Sequence, residues 1–368
     1  EVCLVGSEMC IRDSYCIMHS PMKFFIPFLF FFASLSLTDD TPISHAPIGV
    51  MGDHAHKKGE IMVSLRISHM KMKGNLLDGS SIIDNQILTL PNPNAGIQNA
   101  PSNLSIVPQE MDMRMYMLGG MFAASDKFTL MGMMMFKDLE MISNTYQGMM
   151  NRNLLGSFNL SSEALSQVSL FGLINIVDNY SENSIFKIGF IQAIGDNNKT
   201  DIVLTPMNSQ MEMIMPYGMQ GSDKSTKLSI GYTHKKYFST NSLGFQIQSS
   251  LNTNEKDWAF GNKYETSIWY QKVFNNSLSW SLRYNFVKEE GIEGSNSGIT
   301  GPVQTANPYN YGGSSSSIGI GFNTVFNLFE SDHSDRMAIE ILFQINQNKT
   351  GLQMDSKEKI ILGYQKAF

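Results

Sequence analysis

Cysteine is confined to the start of the chain. Cys3, Cys10 and Cys16 all precede residue 22, so the rest has no disulfide, thiolate metal ligand or cysteine nucleophile. Charge is scarce as well. Only 16% of residues are Asp, Glu, Lys or Arg, with a formal net charge of -6, which excludes the basic footprint of a nucleic-acid-binding protein. After residue 37 no apolar run approaches the about 20 residues of a membrane-spanning helix. No G-x-S-x-G or comparable local motif occurs, and the histidines near the strands (His69, His234, His333) form no nucleophile-base pattern in sequence. The chain therefore reads as a non-enzyme that requires no cofactor.

The two ends carry signals of their own. Residues 1–21 read as a non-native leader, because the string VGSEMCIRDS resembles a translated adapter scar. Met22-Lys23 followed by the apolar run Phe24 to Leu37, with Ser34 and Ser36 before a cleavage point, predicts a signal peptide over residues 22–36. Residues 37–59 then form a periplasmic N-terminal segment, read as a solvated lead-in that plugs or tethers the mouth of the folded body over residues 60–368. At the other end Ile360, Leu362, Tyr364 and Phe368 fall on one strand face. The row resembles the C-terminal assembly signal of outer-membrane barrels, which implies the barrel-assembly machinery as a partner. Lys366 interrupts it.

Between the ends, apolar residues recur with period two in many short segments. In Ser277 to Val287, the residues Leu278, Trp280, Leu282, Tyr284 and Phe286 share one face, while Ser279, Ser281, Arg283 and Asn285 share the other. Such alternation suits lipid outside and a wet lumen inside. Strands are predicted near 60–73, 109–123, 127–141, 165–177, 183–195, 225–236, 240–251, 262–274, 277–289, 315–328, 335–347 and 357–368. Their connections alternate long and short, and proline gathers in the long ones (Pro91, Pro93, Pro206, Pro216, Pro302, Pro308), where it interrupts no ladder. The fold class is thus all-β: a single antiparallel transmembrane β-barrel of about 12 strands in the cell outer membrane, with long extracellular loops and short periplasmic turns.

Methionine is abundant, 26 in 368 residues, and clustered. Met111, Met113, Met115 and Met117 alternate on one predicted strand, Met131, Met133 and Met135 on the next, and Met70 and Met72 end the first. Facing assigns Arg66, Met70, Met72, Met131, Met133, Met135, Lys137, Glu265, Arg283 and Glu340 to the pore lining, with Leu130 and Phe136 toward lipid. The facing of the Met111 row stays open, since Asp112 and Arg114 must then point outward. Thioether rows are weak ligands for Cu(I) or Ag(I), and equally flexible apolar filler. Met51, His54 and His56, with His45 and Asp53 nearby, add a second candidate metal set, because residues two apart in an extended segment point the same way.

The segments A-P-I-G-V-M-G-D-H-A-H-K-K-G-E, V-L-T-P-M-N, M-P-Y-G-M-Q-G-S, P-V-Q-T-A-N-P and G-Y-Q-K-A-F together resemble a group of bacterial outer-membrane "transporter" barrels, similar to the family named for the meta-pathway of phenol degradation. The resemblance runs from Ala46 to Phe368. It implies an outer-membrane barrel and leaves the cargo open; membrane lipid and a small-molecule or metal-ion cargo are the expected partners. Two readings follow: a channel or transporter for a small, aromatic or apolar solute, and a soft-metal (copper or silver) binding or efflux component.

Overall fold

The computed structural model describes residues 41–97, 100–148, 152–254, 256–327 and 335–368. The leader, the signal peptide and the turn at Phe329 to Ser334 lie outside the described residues. Twelve long strands run in chain order around one sheet: β1 (Ile61–Leu77), β2 (Ile106–Ser125), β3 (Phe128–Tyr146), β4 (Leu154–Asp178), β5 (Glu182–Ala193), β6 (Thr226–Tyr237), β7 (Asn241–Asn252), β8 (Lys263–Asn275), β9 (Leu278–Glu289), β10 (Gly313–Phe326), β11 (Asp335–Lys349) and β12 (Leu352–Ala367). Each pairs antiparallel with its neighbours in sequence. β12 returns to β1, from Met62 opposite Ala367 to Leu77 opposite Leu352. Closure satisfies the backbone within the ring and removes the edges that would otherwise template aggregation.

The alternation read from sequence becomes two surfaces. On β9, Ser279, Ser281 and Arg283 are buried inside, whereas Leu282 and Tyr284 are more than 40% exposed outside. Val63 and Leu65 on β1, Phe245 and Ile247 on β7, and Ile318, Ile320 and Phe322 on β10 continue the outer apolar band. So many large exposed apolar side chains in one belt mark a lipid-facing surface. Leu130 sits in this band at 40% exposure. Leu130→Arg is expected to cost about 2–4 kcal/mol of folding stability if it lies at mid-bilayer. Urea-dependent folding into lipid vesicles measures this, with Leu130→Phe near neutral.

Several strands outrun their predicted ends. β4 starts at Leu154 rather than near 165, and β3 continues to Tyr146, so the expected loop over 142–164 shrinks to residues 147–153. Likewise β11 and β12 extend until only Thr350 and Gly351 join them. The cause is height. Twenty-five residues in β4 make a strand roughly 80 Å long, or roughly 60 Å tall at the usual tilt, against an apolar belt of about 25 Å. Above the belt the outward positions are polar (Ser157, Asn159, Ser161, Glu163), and the hydrophobic alternation that betrays a strand fades. The same reasoning places Asp112 and Arg114. They point outward above the belt, where Asp112 meets His69 at 2.6 Å and Arg114 meets Asp138 at 2.7 Å and Glu140 at 3.3 Å.

Short turns (126–127, 179–181, 238–240, 276–277) lie at one end with the start of β1 and the end of β12, and the long connections (78–105, 194–225, 253–262, 290–312) lie at the other. This is the periplasmic and extracellular asymmetry of bacterial barrels. Inside the predicted 196–224 loop, Thr200–Leu204 and Gln210–Ile214 form a hairpin. Lys366, the exception in the C-terminal apolar row, is paired at 3.1 Å with Asp335, which also accepts the Tyr364 hydroxyl at 2.5 Å.

Candidate functional site

Residues from Pro42 to His56 lie inside the barrel rather than ahead of it, occupying the periplasmic half of the lumen. The segment has little regular structure, so its main-chain groups need partners, and inward polar side chains supply them. Ser279 donates to the carbonyl of Pro42 (2.7 Å), Lys235 to Ser44 (2.6 Å), Gln271 to His45 (2.9 Å) and Arg336 to Ala46 (2.6 Å). Arg66 donates to Val50 (3.1 Å) and Gln246 to Met51 (2.9 Å), while Thr129 accepts from the His56 amide (3.2 Å). Side chains from β1, β3, β6, β7, β8, β9 and β11 thus converge on one short plug.

Apolar contacts fix its depth. Ile48 packs among Ala338, Leu342 and Ile361, and Ala46 and Val50 pack on Trp269. Gly363 makes room for Ile48, since a Cβ there would stand 2.5 Å from its Cδ1. The strongest polar anchor is a bidentate pair, Arg283 Nε to Glu340 Oε1 at 2.7 Å and Nη2 to Oε2 at 3.0 Å, both side chains at most 3% exposed. Glu340 Oε2 also accepts the Gly49 amide at 2.9 Å, so the wall's ion pair reaches into the plug. A Cβ at residue 49 would be 2.1 Å from Arg283 Nη2, which is why glycine stands there.

The plug folds back on itself through Asp53. Its Oδ2 accepts the Ala46 amide at 2.7 Å and faces Lys235 Nζ at 3.5 Å, and its Oδ1 lies 3.0 Å from His54 Nδ1. Burial pushes the Asp53 carboxyl up, yet His54 and Lys235 together hold it well below the usual carboxylate range. His45, His54 and His56 stack edge to face, with ring centroids 4.4 and 5.0 Å apart. Burial, reinforced by His54, keeps His45 well below the usual imidazole value and lowers His56 to about 4. Both rings are therefore neutral near pH 7, with a lone pair on one nitrogen.

Beside the plug and above it the wall is thioether. Met62, Met121 and Met131 face one another across β1, β2 and β3, Met117 lies opposite Met135, and Met111 opposite Met141 and Met72. The Met111 row therefore points inward. Met51 and His54 share a small chamber with Met62, Met117, Met121, Met131 and Met133. Of the other lining candidates, Arg66, Arg283 and Glu340 hold the plug, Glu265 accepts from Gln248, which in turn accepts from Lys187, and Lys137 lies opposite Met115. Met70 and Met72 lie opposite Met113 and Met111. The candidate metal set of Met51, His54, His56 and the Met111 to Met117 row does not gather at one point. Met111 sits in a separate upper cluster with Leu139, Met141 and Leu160, while His54 has His45 as its near neighbour.

Inward-folded loops cover the extracellular mouth. Met215 and Met219 join the upper cluster, whereas Met207 and Met211 remain exposed. Tyr217, Trp258, Ile299, Val303 and Ala306 pack over Ile106, and the Tyr217 and Tyr311 hydroxyls accept the amides of Asn296 and Gly218. Between lid and wall lies an apolar pocket lined by Met141, Phe158, Leu160, Val203, Met213 and Val303 among others.

Sequence reasoning missed Lys235, Gln246, Gln271, Ser279 and Arg336 as plug holders. Period-two facing places each in the lumen; nothing local names the partner, which lies up to 290 residues away. On the outer face Ser184 Oγ and His234 Nδ1 are 2.7 Å apart. Among the described residues no carboxylate or amide side chain is hydrogen-bonded to His234, and the pair reads as a cross-strand contact.

A closed twelve-strand barrel with an apolar outer belt and a plugged polar and thioether lumen defines a transmembrane β-barrel of the outer membrane. No family model and no curated protein sequence matches the chain. Among solved structures, an outer-membrane channel from Pseudomonas putida F1 aligns over 86% of this chain and 98% of its own, with TM-score 0.52 and 9% identity, a likeness of fold. The Pseudomonas putida toluene transporter TodX aligns over 89% and 93% with TM-score 0.40 and 11% identity. The translocator domain of the autotransporter NalP from Neisseria meningitidis covers 86% and 91%, with TM-score 0.42 and 6% identity. These two are too distant to bear on function.

Proposed function

We propose that the protein is an outer-membrane channel for small apolar solutes, aromatic ones included. The observation that carries this reading is the lumen itself: an apolar pocket beneath the loop lid, continued by a methionine wall to a plug held mainly through its own backbone carbonyls. Methionine is unbranched and polarizable, so it accommodates apolar and aromatic guests of varied shape. Hydrogen bonds to carbonyls can be exchanged for water when the plug moves, at modest net cost. The described state is closed at both ends, and passage requires the lid and the plug to shift. The shared fold with a channel further supports the reading.

Titration of the purified barrel with N-phenyl-1-naphthylamine, a fluorescent aromatic probe, tests this. Saturable enhancement is expected, and Leu160→Glu, which puts a carboxylate into the pocket, should weaken it at least about 10-fold, since a buried unpaired charge costs several kcal/mol. Non-saturable partitioning, or a Leu160→Glu variant that binds equally well, would remove the apolar-solute reading.

A further inference from the structure

We infer that His45 and His54, with Asp53 beside them, form a binding site for one borderline divalent transition ion, Zn(II), Cu(II) or Ni(II), inside the plug. The site is independent of the solute the channel carries. One ligand atom from each of these residues can be chosen so that all three lie within 4.8 Å of one another. Donors around a four-coordinate zinc stand about 2.0–2.1 Å from the ion, so imidazole rotations of roughly 1 Å would close the set.

Two observations point to a ligand rather than to ordinary packing. His45 Nδ1, His54 Nε2 and His56 Nε2 are all buried and have no hydrogen-bond partner, an arrangement that costs about 1–3 kcal/mol per orphaned group unless something fills it. The opposite nitrogens are held. His54 Nδ1 faces Asp53 Oδ1 at 3.0 Å, and His56 Nδ1 faces Glu60 Oε2 at 3.2 Å. A carboxylate on one ring nitrogen with the other left bare is the way proteins orient imidazoles toward a metal and raise their basicity. Nitrogen and oxygen donors select the borderline divalent ions over Cu(I), which prefers thioether.

The ion would join His45 to His54 across the fold of the plug, the two ends that Asp53 already brings together through the Ala46 amide. A bound metal would therefore staple the plug in its docked shape.

Zn(II) titration of chelator-stripped, full-length barrel in detergent should show one equivalent bound, and Cu(II) at the same site should give nitrogen hyperfine structure in its electron paramagnetic resonance spectrum. His45→Gln/His54→Gln should weaken binding at least about 100-fold while keeping heat-modifiable mobility, the sign of an intact barrel. Asp53→Asn should weaken it about 10–100-fold, since the Asp53 carboxylate orients the His54 ring. A His69→Gln/His234→Gln variant, altered only on the outer face, should bind as the parent does. Absence of stoichiometric Zn(II) or Cu(II) binding by the parent, or full binding by the His45/His54 variant, would overturn the assignment.

Discussion

A barrel lacking residues 41–56 is expected to conduct ions in planar lipid bilayers in frequent openings gated by the loop lid alone, where the full chain shows at most rare, brief ones. The segment fills the periplasmic half of the lumen with buried side chains, Ile43, Ala46, Ile48 and Val50 among them. Its removal leaves a wall of Lys235, Arg66, Arg283, Arg336, Gln246 and Gln271 that water can hydrate. The barrel should still assemble, because its strand ladder closes without the plug, from Met62 against Ala367 upward. Heat-modifiable mobility checks assembly and conductance checks the gate. Equal conductance with and without the segment, in a folded barrel, would mean that the loop lid alone closes the channel.

The second large effect is expected at the buried ion pair. Glu340→Ala leaves the Arg283 guanidinium without its bidentate partner in a site almost free of solvent, and removing one member of a buried pair costs about 3–5 kcal/mol. Gly49 loses its acceptor in the same step. Replacing both residues, as Arg283→Met/Glu340→Leu, takes the stranded charge away, and buried pairs exchanged for apolar groups are often neutral in stability. The double variant should thus recover most of the barrel's resistance to urea. It should not recover the plug, because the Gly49 amide still lacks its carboxylate. Amide hydrogen exchange across residues 45–51 should be faster in both variants than in the parent. A single variant as stable as the parent would show that Glu340 carries no net stabilising charge. Measured together with the Arg283→Met and Glu340→Leu single variants, a non-additive gain in the double variant is the coupling energy of the pair.

How far the sequence reaches can be judged residue by residue. Period-two patterning alone is enough to put Ser279, Ser281 and Arg283 inside and Leu282 and Tyr284 outside, because a strand cannot turn one residue without turning them all. It also yields the strand order, the short turns at one end and the thioether face of Met131, Met133 and Met135. These properties are local and repeat along the chain, so composition and spacing encode them. It fails above the lipid belt. There both faces of β4 meet water or loops, and the alternation loses its apolar signal although the backbone ladder continues.

The plug was legible only as a solvated lead-in that plugs or tethers the barrel mouth. Its fate depends on contacts spanning most of the chain: Gly49 with Glu340, Ala46 with Arg336, Pro42 with Ser279. No local pattern specifies such pairs; closing the barrel creates them by bringing seven strands around one segment. The same enclosure seats His54, beside His45 and Asp53, against the methionine chamber of β1, β2 and β3. The sequence by itself determined a membrane barrel and which residues face its interior, since period and hydrophobicity act over a few residues. Only the tertiary structure decided what that interior contains, because the lumen is an enclosure that exists once β12 has paired with β1.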